Sequence, residues 1–230
     1  RHPAKKSRPV ASGALPVRTA AFAALILGVA GIALSFLINI PFALAAAAYA
    51  TLVLAYTFFL KRLVIIDVFA IASGFVLRAV AGAVAVEVPI SNWLLICVIL
   101  LSLFLALAKR RQELVAGDEQ PAAHRLILSE YSPLLLDQMI SVVTAATVVC
   151  YSLYTLSPET MAKFGSDEMK YTIPFVLYGI FRYLYLIYKK QAGARPEAAL
   201  LTDAWLLADI LLYIMTVWFI IYRVGKFVIH

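Results

Sequence analysis

Seven stretches of about twenty residues, nearly free of charge, follow one another along this chain: roughly 17–36, 41–60, 65–86, 92–108, 134–156, 171–188 and 204–222. A helix rises about 1.5 Å per residue, so about twenty apolar residues cross a hydrocarbon core about 30 Å thick. In that solvent every backbone N–H and C=O must be satisfied internally, which leaves helices or closed barrels. Ten-residue segments of alternating polarity, the mark of a barrel, do not occur. The reading is therefore an all-α polytopic membrane protein with seven transmembrane helices. Turn signals separate the spans: "NIP" at 39–41, "EVPIS" at 87–91, "LSPET" at 156–160 and "GARPE" at 193–197.

Composition excludes a soluble domain. The 230 residues are 63% hydrophobic and 14% charged, against about 25% charged in an ordinary globular chain. The first apolar run exceeds the 7–15 residues, roughly, of a signal-peptide core, and more spans follow it. Cys97 and Cys150 lie inside apolar runs, without Cys/His spacing of a metal site or a disulfide framework; they read as small core residues.

Charge distribution sets an orientation. Arg1, Lys5, Lys6, Arg8, Arg18, Lys61, Arg62, Lys109, Arg110, Arg111, Arg125, Lys189, Lys190 and Arg195 fall on one side of a seven-span chain. Lys163, Lys170, Arg223 and Lys226 fall on the other. Fourteen against four places the N-terminal segment and the long loop 109–133 in the cytoplasm and the C-terminus outside, in a multi-pass protein of the plasma membrane.

Two basic residues remain inside spans. Arg78 comes eleven residues after Asp67, about 16 Å along the helix axis and near the bilayer midplane. A guanidinium there costs several kcal/mol unless it faces a partner or a cavity. Asp67, Ile71, Gly74, Arg78 and Gly82 share one helical face, and the glycines imply close packing beside it. A second stripe runs through Asp137, Ser141, Thr144, Thr147 and Tyr151. A third runs through Tyr178, Arg182, Tyr185 and Lys189, with Asp203 and Asp209 on the last span. Interhelical ion pairs, such as Arg182 with Asp209, account for such residues singly. Taken together they point to a cytoplasm-facing cavity for a ligand with an anionic head and a lipid tail.

Clustered cations and scattered acids meet at the expected mouth: Lys5, Arg8, Lys61, Lys109 and Arg110 against Asp67, Glu113 and Asp118. Arginine and lysine hold phosphate oxygens, and Mg²⁺ binds through one or two carboxylates plus the substrate's phosphates. This composition fits a magnesium-bound diphosphate.

The segment "RHPAKKSRP" resembles the end of the first signature of the UbiA-type intramembrane prenyltransferases, an aspartate-rich stretch followed by Arg and HPxKxxRP; Arg1, His2, Pro3, Lys5, Arg8 and Pro9 match. The likeness continues through "LKRLVIIDVFAIASGFVLRAVAGAVA", "ALAKRRQEL" and "RPEAALLTDAWLLADILLY", and so covers essentially the whole chain as one partial UbiA-type transmembrane domain. It implies a nine-helix bundle of which these seven spans are the third to ninth, with two helices and the aspartate-rich motif expected before Arg1. The second acidic motif of the family is replaced by Lys109-Arg110-Arg111-Gln112-Glu113. More cations and fewer acids suit a reaction with more phosphate charge. The resemblance is thus strongest to the branch that moves a 5-phosphoribosyl group from phosphoribosyl diphosphate to a polyprenyl (decaprenyl) phosphate.

In that reaction, by resemblance, Lys5, Arg8, Lys109 and Arg110 stabilise the departing diphosphate, and Mg²⁺ is held chiefly by the aspartates expected upstream, with help from Glu113. Arg125 and Tyr131, in "HRLILSEYS", resemble a family segment over the site. Lys61, Asp67, Arg78, Asp137 and Arg182 would line the substrate cavity. No general base is required, because the acceptor phosphate is already anionic; His2 and His124 are poor acid–base candidates. Homo-oligomerisation is compatible with this reading, and nucleic acid is not an expected partner. Two rivals stand beside it: a prenyltransferase with an aromatic acceptor on the same fold, which the KRRQE segment disfavours, and a transporter or lipid-binding protein, which would often show an internal repeat.

Overall fold

The computed structural model describes residues 9, 10, 12–115, 128–189 and 202–227. Lys5, Arg8, Arg125, His2, His124 and the turn at 193–197 lie outside the described residues. Within them the chain is helical and contains no strand. The helices are α1 (Val17–Ser35), α2 (Ile40–Phe58), α3 (Ile66–Ala85), α4 (Asn92–Val115), α5 (Pro133–Leu156), α6 (Pro158–Phe164), α7 (Ile173–Lys189) and α8 (Ala204–Phe227). Short 3₁₀ turns form at Leu60–Arg62 and Glu168–Thr172. Among the described residues six helices are long and apolar enough to cross a membrane: α1, α2 with its 3₁₀ extension, α3, α4, α5 and α8. The seventh expected span, 171–188, becomes the 3₁₀ turn followed by the 17-residue α7. Pro174 stands at its second position, where a missing N–H costs nothing.

The boundaries follow local chemistry. Asn39 caps α2, its Oδ1 accepting from the Phe42 N–H at 2.7 Å, with Pro41 in the first turn. Ser132 caps α5 and precedes Pro133 at the first position; Ser157 and Pro158 do the same for α6. Gly165 ends α6 at φ 67°, a left-handed conformation that glycine adopts without strain.

The chain divides into two compact units. The first comprises residues 1–90 and 117–131. In it α2 and α3 run antiparallel, since Asn39 Nδ2 at the start of α2 donates to the Val84 carbonyl near the end of α3, at 3.1 Å. Gly74 permits close approach: a Cβ there would sit 3.6 Å from Tyr49 Cε2. Gly82, expected to serve the same purpose, has open space beside it.

The second unit comprises residues 91–116 and 132–230. Its core is built by Leu103, Phe104 and Leu107 of α4, Leu136 and Ile140 of α5, and Tyr183, Leu186 and Ile187 of α7, all buried. Phe104 meets Tyr183 edge-on, with centroids 5.3 Å apart. Cys97 is buried and packs with Tyr151 and Tyr154, and both cysteines are free thiols. The outer faces carry exposed large apolar residues such as Phe22, Leu27, Val142, Leu211 and Trp218. For helices of this length and composition such faces are the surface offered to lipid. The protein is an integral membrane protein.

Candidate functional site

The polar groups of the first unit centre on the start of α3. The chain leaves the 3₁₀ turn at Leu60–Arg62 and enters α3 through Ile65, whose φ is 69°. A β-branched residue in that region is strained, and such strain persists only where surrounding contacts impose it. Tyr131 supplies them. Its hydroxyl accepts from the Ile65 N–H at 2.6 Å and donates to Asp67 Oδ1 at 2.8 Å. Asp67 is fully buried and Tyr131 nearly so. The two residues, 64 apart in sequence, are thus brought together, and Asp67 anchors the segment ending at Tyr131 to the first turn of α3. Lys61 is half-buried on the neighbouring 3₁₀ turn.

Arg78 lies farther along α3 and is exposed. Its guanidinium stacks 4.4 Å from the Phe75 ring centroid and 5.7 Å from that of Tyr49. Among the described residues no carboxylate pairs with it. Aromatic faces take the place of the anionic partner expected for a cation in a span.

The second unit organises its charge at the C-terminal end of α4. Lys109 is exposed and forms no ion pair among the described residues. Arg110 is buried, and its Nη1 donates to Glu113 Oε2 at 2.6 Å, one helical turn on. Arg111 turns to α5: its Nε donates to Asp137 Oδ1 at 2.5 Å and its guanidinium lies 4.0 Å from the Tyr188 ring centroid. The Tyr188 hydroxyl donates to the same Asp137 oxygen at 2.8 Å. Arg111, Asp137 and Tyr188 therefore lock three helices together. Spacing gave no sign of this trio, because its members stand 26 and 51 residues apart.

Arg182 forms a two-pronged pair with Asp203, Nε to Oδ1 at 3.0 Å and Nη2 to Oδ2 at 2.8 Å. This corrects the expected pairing with Asp209. Asp203 also caps α8, its Oδ1 accepting from the Leu206 N–H at 3.0 Å. The α5 stripe is largely self-satisfied: Ser141, Thr144 and Thr147 donate to carbonyls one turn back. Tyr151 reaches across to Thr172 at 2.6 Å and Tyr213 at 3.2 Å. Away from these groups, Lys170 holds the exposed Asp167 carboxyl below its ordinary range through a direct hydrogen bond.

Magnesium finds no cage among the described residues, where no three His, Cys, Asp or Glu side chains converge. Glu113, the acid assigned to a metal, is engaged by Arg110. The described residues do not by themselves fit a resident Mg²⁺.

The chain is similar to proteins of named activity. It is 35% identical over 206 residues to the decaprenyl-phosphate phosphoribosyltransferase of Mycolicibacterium smegmatis, covering 86% of this chain and 64% of that protein. It is 33% identical over 216 residues to the enzyme of the same name from Mycobacterium tuberculosis, covering 94% of this chain and 70% of that protein. A third, from Corynebacterium glutamicum, is 34% identical over 205 residues, with 86% of this chain and 60% of that protein covered. The chain thus spans roughly two thirds of the length of these relatives. The family model described as the UbiA prenyltransferase family matches residues 1–207, and the chain belongs to that family.

Proposed function

We propose that this protein transfers a 5-phosphoribosyl group from phosphoribosyl diphosphate to a polyprenyl phosphate, with decaprenyl phosphate as the acceptor, and releases diphosphate. The observation that carries the reading is similarity over 86–94% of the chain to three proteins named decaprenyl-phosphate phosphoribosyltransferase. The end of α4 supports it: of three consecutive cations, Arg110 pairs with Glu113 and Arg111 with Asp137, while Lys109 forms no ion pair among the described residues.

In this reaction an oxygen of the lipid phosphate forms a bond to ribose C1, and the bond from C1 to the diphosphate oxygen breaks. The diphosphate leaves with the electron pair. The acceptor oxygen is already anionic, so no base takes a proton. What the protein must supply is position and positive charge where charge develops. Lys109 offers an ammonium uncommitted to any ion pair among the described residues, and the hydrogen bond to Glu113 holds Arg110 in one orientation. Lys5 and Arg8 act on the same phosphates in this proposal. Mg²⁺, when bound, would accompany the donor's phosphates as their counter-ion. The acceptor's tail extends toward lipid, and its head and the donor meet at the cytoplasmic face, a placement supported by the fourteen-to-four division of Lys and Arg over seven spans.

Lys109→Ala tests the reading with little structural disturbance, because the side chain is exposed. A lost charged contact to the departing group lowers the rate by about 100- to 1,000-fold. Lys163→Ala, on the opposite side in this topology, should leave it unchanged. Equal rates for both variants and the parent would remove Lys109 from the mechanism.

A further inference from the structure

The second unit holds a partly open cavity of about 390 Å³, within the range of about 300–1,000 Å³ that small-molecule sites occupy. Its wall is apolar over most of its area, with Leu101, Val176, Ile180 and Ile210 among the contributors. Two polar side chains on it are already committed: Thr147 donates to the Val143 carbonyl, and Tyr151 bonds Thr172 and Tyr213. Asp209 differs. It lies on the cavity wall, six residues into α8, and is 8% exposed. Among the described residues its carboxyl has neither a hydrogen-bond nor an ion-pair partner. Arg182, the cation nearest in expectation, is held by Asp203.

The fold makes room for this carboxyl. Gly179 of α7 lies against it, and a Cβ there would stand 2.9 Å from Asp209 Oδ2. An uncompensated carboxyl in an apolar interior is costly, and in a membrane span such a group is by default a candidate functional site. The short aspartate side chain cannot reach the interface by extending. A ligand satisfies the arrangement if it brings an apolar body to the wall and a cationic donor to the carboxylate.

We propose that this cavity is a binding site for a small lipophilic amine, whose ammonium group donates to Asp209 while its hydrocarbon body fills the space beside α4, α5 and α7. The site rests on none of the phosphate-binding residues above. Charge complementarity selects the ammonium over a neutral isostere, because a charge-assisted hydrogen bond out of water is stronger than one between neutral groups.

The test uses the protein in lipid nanodiscs and two probes with one carbon cage, 1-aminoadamantane and 1-adamantanol, with binding to empty nanodiscs subtracted. The amine should bind saturably and about tenfold or more tightly than the alcohol. Asp209→Asn should weaken the amine about tenfold or more while leaving the alcohol unchanged, and Lys163→Ala should alter neither. Absence of saturable amine binding, or alcohol binding as tightly as amine to the parent protein, overturns the proposal. So does unaltered amine affinity in a folded Asp209→Asn. If Asp209→Asn does not fold, the amine-to-alcohol comparison on the parent protein decides alone.

Discussion

Tyr131→Phe removes one oxygen and no apolar contact, yet that oxygen serves two groups. It accepts from Ile65 N–H and donates to the fully buried Asp67. The Ile65 N–H bond is only part-buried, so its loss costs less than that of the bond to Asp67. Asp67 is 0% exposed, and water cannot reach it without local opening. A buried charged acceptor deprived of one partner costs about 1.5–3 kcal/mol. With a few tenths for the part-buried amide bond, the total is about 2–3 kcal/mol, or about 30- to 140-fold in the opening equilibrium. The three tryptophans, Trp93, Trp205 and Trp218, all belong to the second unit, so their fluorescence does not report on this event. Amide hydrogen exchange does, read on a peptide covering residues 60–75. The first turn of α3 should exchange about 30- to 140-fold faster in Tyr131→Phe, with α5 unaffected. Ile65→Gly, which relieves the positive φ, should slow exchange there if the hydroxyl is kept. Exchange in Tyr131→Phe within twofold of the parent would refute the claim that this hydroxyl holds the entry to α3.

Two further outcomes follow from the second unit and from the charge division. Asp203 both pairs with Arg182 and caps α8, so Asp203→Asn should keep the cap and lose the charge while Asp203→Ala loses both. Melting temperatures in detergent should therefore fall in the order parent, Asn, Ala, with the last step worth about 1 kcal/mol; equal values for Asn and Ala would deny the cap. In a variant with Cys97 and Cys150 replaced by alanine, single cysteines at Gly117 and Gly165 should label from opposite sides of the membrane; labelling of Gly117→Cys from outside intact cells would reverse the orientation.

What the sequence made legible was local or additive. Apolar runs of sufficient length marked the spans, because lipid imposes one length scale on every crossing. The start of α2 was readable at the turn signal "NIP", since the Asn39 cap is completed within three residues; the caps at Ser132 and Ser157 follow the same local rule, but 156–160 was legible only as a turn and the short α6 that begins there was missed. The pairing of charges was not readable. Asp203 and Asp209 are six residues apart, so they face different directions on a helix, and only the rotation of α8 decides which one meets Arg182. Arg111 shows the same limit: nothing near it in sequence singles it out from Lys109 and Arg110, yet only Arg111 reaches both Asp137 and Tyr188. Arg78 was legible as costly; Phe75, three residues before it on the same helix, was a local neighbour that went unread, and Tyr49 was out of reach because it comes from a different helix.

The most direct measurement is of substrate choice. The protein in membranes is supplied with labelled phosphoribosyl diphosphate and decaprenyl phosphate, in the presence of Mg²⁺, and the organic-soluble label is followed. The account predicts a labelled lipid that appears only when both substrates are present, with diphosphate released in equal amount. Turnover of a prenyl diphosphate with an aromatic acid, and none with phosphoribosyl diphosphate, would contradict it.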